Sequence, residues 1–173
     1  MKFTDYNHDV EKELIGRARE LQPLLRKHAP EFDAQSRITP EVFKELTDAG
    51  FWDMASPRRW GGLGTSATTM ARVGAELGKG DPSVGWVYTV LHGTTWVASL
   101  GPDELQEELF GNGKHPTICG AVTPPGSAQE VEGGYIVNGK WAYCSGSRNA
   151  DWGQFGCNIV KEDGTVEQGG NVY

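Results

Sequence analysis

The stretch GGYIVNGKWAYCSGSRNADW at positions 133–152 decides the fold of the second part of the chain. Strand-forming residues occur in short runs here, and the pairs Gly133-Gly134 and Asn138-Gly139 interrupt them. Asn-Gly is a strong hairpin signal, and Gly-Gly marks a turn or a bulge. The stretch therefore predicts strands over 135–137 and 140–145.

The same pattern continues on both sides of this stretch. Strand formers fill 117–123 upstream and 154–160 downstream. Glu162-Asp163-Gly164 then begins another hairpin, whose return strand would lie at the very end of the chain. We expect an antiparallel sheet over 115–173. So few strands leave open edges and an uncovered face, so we expect this sheet to be incomplete.

Before residue 115 the pattern is helical. In a first helix, predicted over 9–29, apolar residues recur every three or four positions and charges fill the other face. Four more helices are marked by Thr39-Pro40, by Ser66, by Asp81-Pro82 and by Pro102. The predicted fold is therefore α+β, with an N-terminal α-helical bundle over 1–114 followed by the beginning of an antiparallel β-barrel-like domain over 115–173.

The stretch 83–100 contains no charged side chain, which meets the length test for a membrane span. Gly85, His92, Gly93 and several hydroxyl residues dilute its hydrophobicity. We therefore predict a helix buried among other protein helices, and no membrane partner.

Composition excludes several classes of function. A net charge of -7 argues against nucleic acid, which requires clustered cations. The three cysteines include no CxxC pair, and no secretory leader opens the chain, so we expect a cytoplasmic protein. The four histidines fall at no ligand spacing, so no metal site is predicted.

VTPPG at 122–126 precedes the quoted stretch at 133–152, and both follow the predicted helices. In order and spacing, these segments resemble the acyl-CoA dehydrogenase superfamily over nearly the whole chain. Two further segments support this resemblance, LTDAGFWDMASPRRWGGLG at 46–64 and GDPSVGWV at 80–87.

The chain also departs from the dehydrogenases of that superfamily. They carry a TEPGAGSD-like segment, whereas here Pro125 replaces the acid and the GSD part is absent. The W-x-x-x-S-G form from Trp141 to Gly146, and the short link from Gly126 to Gly133, are similar instead to two-component flavin-dependent monooxygenases.

The resemblance implies an oxygenase component that hydroxylates a small aromatic or heteroaromatic substrate with O2. It implies reduced flavin (FMN or FAD) as cofactor, a separate flavin reductase as partner, and a dimeric or tetrameric homo-oligomer at full length. The superfamily has a C-terminal four-helix domain that we do not recognise in this sequence, so we expect the isolated chain to have little activity. Two alternatives stay open: an acyl-CoA dehydrogenase that uses FAD, and a non-catalytic fragment or interaction module.

By motif position, the resemblance also assigns cofactor contacts. Ser145 matches the hydroxyl that hydrogen-bonds flavin N5, and Val122 and Thr123 match the strand beside the pyrimidine ring. Tyr143 and Trp86 match aromatic residues near the flavin. The residues themselves allow other interpretations: Ser145 in a Ser-Gly turn, Thr123 at a strand end before Pro124, and Tyr143 facing a core.

His92 is the catalytic candidate that the resemblance supplies. A substrate-facing histidine would accept or orient a phenolic proton. A lone histidine on a buried helix also fits a core position. The spacing of Trp86 and His92 puts them on different faces of one helix, so both would reach a pocket only at its rim.

Overall fold

The computed structural model describes residues 8–173, without the side chain of Pro124. Residues 1–7 of the predicted helical domain lie outside the described residues. Within the described range, the helices are α1 (His8–Gln35), α2 (Pro40–Asp48), α3 (Ala67–Gly80), α4 (Pro82–Ala98) and α5 (Asp103–Phe110). The strands are β1 (Ile118–Val131), β2 (Gly134–Asn138), β3 (Trp152–Val160) and β4 (Val166–Val172). Helices followed by a sheet confirm the predicted α+β class, and the boundary predicted at residue 115 falls between α5 and β1.

The helices begin where their capping residues predict. The Ser66 hydroxyl accepts a hydrogen bond from the Thr69 N–H at 3.1 Å, and the Asp81 carboxylate accepts one from the Val84 N–H at 2.9 Å. Thr39 precedes α2 as predicted, but its side chain makes no capping bond. α1 continues past its predicted end because Phe32, beyond Pro30, is buried in the core.

α4 lies at the centre of the helical part and has two distinct faces. Its inner face is buried: Val84, Gly85, Tyr88, Leu91, His92, Thr95 and Ala98. Gly85 allows close contact with α3, because a Cβ there would lie 2.8 Å from the Gly78 Cα. The outer face is exposed, with Trp86 and Trp96 at 62% and 51%. The predicted burial among other protein helices therefore holds for the inner face and not for this outer face. Among the described helices, none has both the length and the hydropathy that a membrane span requires.

The sheet has the order β2-β1-β3-β4 and is mixed. β1 with β2, and β3 with β4, are antiparallel hairpins, whereas the central pair β1 and β3 is parallel. The turn at Gly133, with φ +81°, and the turn that ends at Gly164 are hairpins as predicted. β4 is the return strand expected at the end of the chain. The antiparallel prediction therefore holds for the hairpins but not for the central pair.

The strand predicted over 140–145 is absent, and this correction explains the parallel pair. Asn138-Gly139 ends β2 instead of forming a hairpin. From there the chain crosses to the far side of β1, and Trp141 packs on Phe155 with ring centroids 4.6 Å apart. The Trp141 indole N–H donates to the Gly156 carbonyl at 3.2 Å. Packing of a large aromatic side chain has overridden a strand-forming local sequence.

β1 is interrupted at the VTPPG segment. Its register with β3 passes from the pair Ala121 and Phe155 directly to the pair Gly126 and Cys157, so 122–125 form a bulge. Pro124 and Pro125 have no N–H to donate to a neighbouring strand, which favours a bulge at this point. The bulge leaves Val122 55% exposed.

Gly85→Ala should destabilise the protein by about 1–3 kcal/mol, because the added methyl must displace the α3 backbone. Gly93→Ala on the same helix is the control. A Cβ at Gly93 meets nothing within 4 Å, so this change should be neutral or stabilise by up to about 1 kcal/mol. Urea unfolding of the two variants measures the difference, and equal effects would contradict the proposed α3–α4 contact.

Candidate functional site

The segment 143–150 folds as a turn against the start of α4. The Ser147 N–H donates to the Cys144 carbonyl at 3.2 Å, and the Ala150 N–H donates to the Gly146 carbonyl at 3.0 Å. Gly146 has φ +83°, and a Cβ there would lie 2.9 Å from the Leu91 Cδ2. Only glycine combines this backbone conformation with so close an approach to the helix.

This turn brings together two of the residues that the sequence assigned to the site. The Trp86 Nε1–H donates to the Ser145 Oγ at 3.0 Å. The Ser145 hydroxyl is itself 3.5 Å from the Tyr143 carbonyl, which is long for an O–H donor. The Ser145 oxygen is therefore held in place while its proton can be donated to another group.

A cavity of about 550 Å³ lies beside this pair. The end of α1, the α1–α2 joint, the start of α4 and the 145–146 turn form its walls. Phe32 and Val87 give it apolar surface, while Arg37 and Ser36 give it polar groups. Its volume is in the range of small-molecule sites.

The α1–α2 joint is the part of the site that sequence reasoning missed. The Asn149 side-chain amide donates to the Ile38 carbonyl at 2.9 Å, and the Arg148 guanidinium donates to the Gln35 carbonyl at 3.2 Å. These bonds span more than a hundred residues of chain, so no local pattern could reveal them. Arg148 lies within the motif stretch 133–152, so the sequence could have indicated it as a site residue. Arg37 lies in no motif that the sequence analysis identified.

Val122, Thr123 and Tyr143 do not line this cavity. Val122 and Thr123 lie in the β1 bulge and are exposed. Tyr143 has φ +57° and is 97% exposed, so it faces no core. Their roles as flavin contacts stay predictions.

His92 lies in the core and not at the rim of the cavity. It is 4% exposed, and its ring lies 4.0 Å from the Tyr88 ring, measured between centroids. Its Nδ1 is 3.0 Å from the Tyr88 carbonyl oxygen and its Nε2 is 2.7 Å from that of Phe51. Trp86 and His92 thus do lie on different faces of α4, but the catalytic role of His92 stays a prediction that this geometry does not support.

Burial lowers the pKa of His92 to about 4, against the opposing effect of the two carbonyl oxygens. The folded protein therefore holds this imidazole neutral at neutral pH. Burial acts in the opposite direction on the thiol of Cys119, whose pKa is raised to about 12, with a further contribution from the neighbouring Cys144 thiol. Cys119 behaves as a small core residue at neutral pH.

Residues 10–111 match the family described as the acyl-CoA dehydrogenase N-terminal domain. The chain is 31% identical over 147 residues to the flavin-dependent monooxygenase oxygenase subunit HsaA of Rhodococcus jostii (strain RHA1), covering 85% of this chain and 38% of that protein. It is 30% identical over 139 residues to the oxygenase component of the FADH(2)-dependent resorcinol hydroxylase of Rhizobium sp. (strain MTP-10005), covering 80% and 34%.

Among solved structures, the chain is similar to the 3-HSA hydroxylase from Rhodococcus sp. RHA1. The TM-score is 0.81 at 31% identity, over 90% of this chain and 40% of that one. The chain thus spans about two fifths or less of the length of these relatives.

The pKa of His92 predicts a loss of stability in mild acid. An unfolded histidine has a pKa of about 6.5, so the unfolded chain binds a proton between about pH 6.5 and about pH 4 that the folded chain does not. The free energy of unfolding should therefore be highest above about pH 6.5 and fall by up to about 3 kcal/mol as the pH drops to about 4. Urea unfolding at several pH values measures this. His92→Gln should flatten the dependence over this interval, and an unchanged slope in that variant would refute the assignment.

Proposed function

Because the chain belongs to the acyl-CoA dehydrogenase family through that family's N-terminal domain, we propose that it is part of a two-component flavin-dependent monooxygenase. The reaction inserts one oxygen atom of O2 into a small aromatic or heteroaromatic substrate and uses reduced FMN or FAD. The two relatives named above, which are oxygenase components by name, support this choice. A separate flavin reductase supplies the cofactor, and the oxygenase works in the cytoplasm as a homo-oligomer.

The single observation that carries the proposal is the hydrogen bond from Trp86 to Ser145 at the junction of helices and sheet. An isoalloxazine ring requires apolar contacts on its faces and polar contacts on its rim. The exposed indole of Trp86 offers a face, and the Ser145 hydroxyl beside it offers a donor. The residues present therefore fit a flavin.

In this proposal the protein's own side chains position the flavin ring and line the space around its reacting edge. Trp86 fixes the Ser145 oxygen, and the Ser145 hydroxyl would hydrogen-bond the ring nitrogen N5 of a bound flavin. Phe32, Val84 and Val87 give the cavity apolar surface beside the reacting edge. Bound reduced flavin supplies the electrons that activate O2.

The β1 bulge gives Val122 and Thr123 a function in the same proposal. The ladder between β1 and β3 has no residue pairs between Ala121 and Gly126. Val122 and Thr123 are outside this register and exposed, and in this proposal they contact the pyrimidine rim of the ring. Tyr143 lies on the same turn as Ser145 and is 97% exposed, so its ring is accessible for the flavin contact that this proposal assigns to it.

An acyl-CoA dehydrogenase is the alternative activity, and one sequence feature separates the two. The dehydrogenases resembled here carry an acid where this chain has Pro125, which itself lies in the bulge. No contact in the described residues favours the dehydrogenase over the oxygenase.

Flavin binding tests the Trp86–Ser145 pair directly. We expect FMN to bind the 173-residue chain, and Trp86→Phe and Ser145→Ala each to weaken binding by about 3-fold to 10-fold, the value of one hydrogen bond. Trp96→Phe is the matched control, because it changes another exposed tryptophan of α4. Titration followed by quenching of FMN fluorescence measures the affinities. Equal affinities in all variants would exclude this pair from the flavin site.

Activity is tested on the whole protein that carries this chain. With reduced flavin, oxygen-18 gas and resorcinol as a probe phenol, we expect oxygen-18 in a hydroxylated product. Bleaching of bound oxidised FAD by butyryl-CoA, with no labelled product, would establish the dehydrogenase instead.

A further inference from the structure

A second, smaller cavity of about 170 Å³ adjoins the first one behind Ser145. The residues that it shares with the larger cavity are Ser36, Arg37, Ile38, Val87, Ser145 and Gly146. Its remaining polar lining residues are Ser147, Arg148 and Asn149. Two arginines and three serines therefore line one small space, and no lining residue of this cavity is acidic.

Both arginines retain most of their hydrogen-bonding capacity. The Arg37 Nε donates to the Ile38 carbonyl at a long 3.4 Å, and the Arg148 Nη1 donates to the Gln35 carbonyl at 3.2 Å. Neither forms an ion pair with a residue of the described range 8–173; the one acidic residue nearby in the lining, Asp33, belongs to the larger cavity. A guanidinium has several N–H donors, so most of these remain free.

Other cations of the helical part are used differently. Arg19 pairs with the nearly buried carboxylate of Glu76, and Arg72 with that of Glu11, which joins α1 to α3. Lys79 also pairs with Glu76, within α3. In a chain of net charge -7, two unpaired arginines at one cavity are available for an anion from outside the chain.

We propose that Arg37 and Arg148 form an oxyanion subsite that binds the carboxylate or phosphate group of a small molecule lying in the larger cavity. The inference rests on the proposed function in one respect: the aromatic part of that molecule lies beside Trp86 and Ser145. The planar guanidinium matches two oxygens of a carboxylate or phosphate, and the hydroxyls of Ser36 and Ser147 donate to the remaining lone pairs. The anionic group has two possible sources, an acidic substrate and the flavin phosphate, and both have the same recognition chemistry.

Paired probes separate these sources. FMN and riboflavin differ only by the phosphate, and phenylacetate and phenylacetamide differ by the charge. We expect the chain to bind at least one anion about 10-fold or more tightly than its neutral partner. Arg37→Gln and Arg148→Gln should each remove most of that preference, the value expected for a charge-assisted hydrogen bond. A preference for FMN identifies the flavin phosphate, and a preference for phenylacetate identifies a substrate carboxylate.

Arg26→Gln is the matched control, because Arg26 also donates to a backbone carbonyl, that of Lys79, but lines neither cavity. This variant should keep the full preference. Arg37→Lys and Arg148→Lys retain the charge and should keep a part of it, and circular dichroism checks that each variant is folded. If neither anion binds better than its neutral partner, or if the preference survives both glutamine variants, the subsite is refuted.

The same titrations separate this inference from the proposed function. Riboflavin has no phosphate, so its binding depends on the ring contacts at Trp86 and Ser145 alone. Failure of riboflavin to bind, with anion preference intact, would overturn the flavin site and leave the oxyanion subsite. Riboflavin binding without any anion preference would support the flavin site and overturn the oxyanion subsite.

Discussion

The close approach of Gly146 to α4 is the constraint on which the arrangement of the site depends. A side chain at this position would collide with Leu91 and Val87, and the positive φ would strain any other residue. Because glycine removes both obstacles, the turn lies directly on the helix. Ser145, one residue earlier, then comes within hydrogen-bond distance of Trp86. Without this contact the polar and aromatic groups of the site would lie apart.

α4 connects the helical part to the sheet because it contacts both of them. Its inner face fills the helical core, while the Thr94 hydroxyl donates to the Ile118 carbonyl of β1 and that of Thr95 to the Pro116 carbonyl at 3.5 Å. The first of these contacts requires a small neighbour, since a Cβ at Gly120 would lie 2.7 Å from the Thr94 Cγ2. The uncharged outer face is left for contacts that the described residues do not supply. A helix with no charged residue thus serves as core, as joint to the sheet and as wall of the site.

The charged side chains of the helical part fall into two sets, those in ion pairs and those without an acidic partner among the described residues. Acidic side chains that are removed from water between α1 and α3 are paired with arginine or lysine, as the cost of burying a charge requires. At the α1–α2 joint Arg37 and Arg148 donate to backbone carbonyl oxygens, and neither forms an ion pair within residues 8–173. Two arginines without an acidic partner among the described residues therefore lie together in an otherwise acidic protein, which is the basis of the proposed oxyanion subsite.

The sequence by itself determined the five helices, both hairpin turns at Gly133 and Gly164, and the family resemblance, because capping residues, periodicity and turn glycines act over a few neighbouring positions. It also singled out Trp86 and Ser145. Only the tertiary structure decided that 140–145 crosses the sheet instead of joining it, because the packing of Trp141 on Phe155 depends on a strand that comes later in the chain. Only the tertiary structure shows that His92 is buried among Tyr88, Trp52 and Phe51. Only the tertiary structure shows that Arg37 and Arg148 line one cavity. Contacts between residues far apart in the chain leave no local pattern, and they decide which of the candidate residues reach the site.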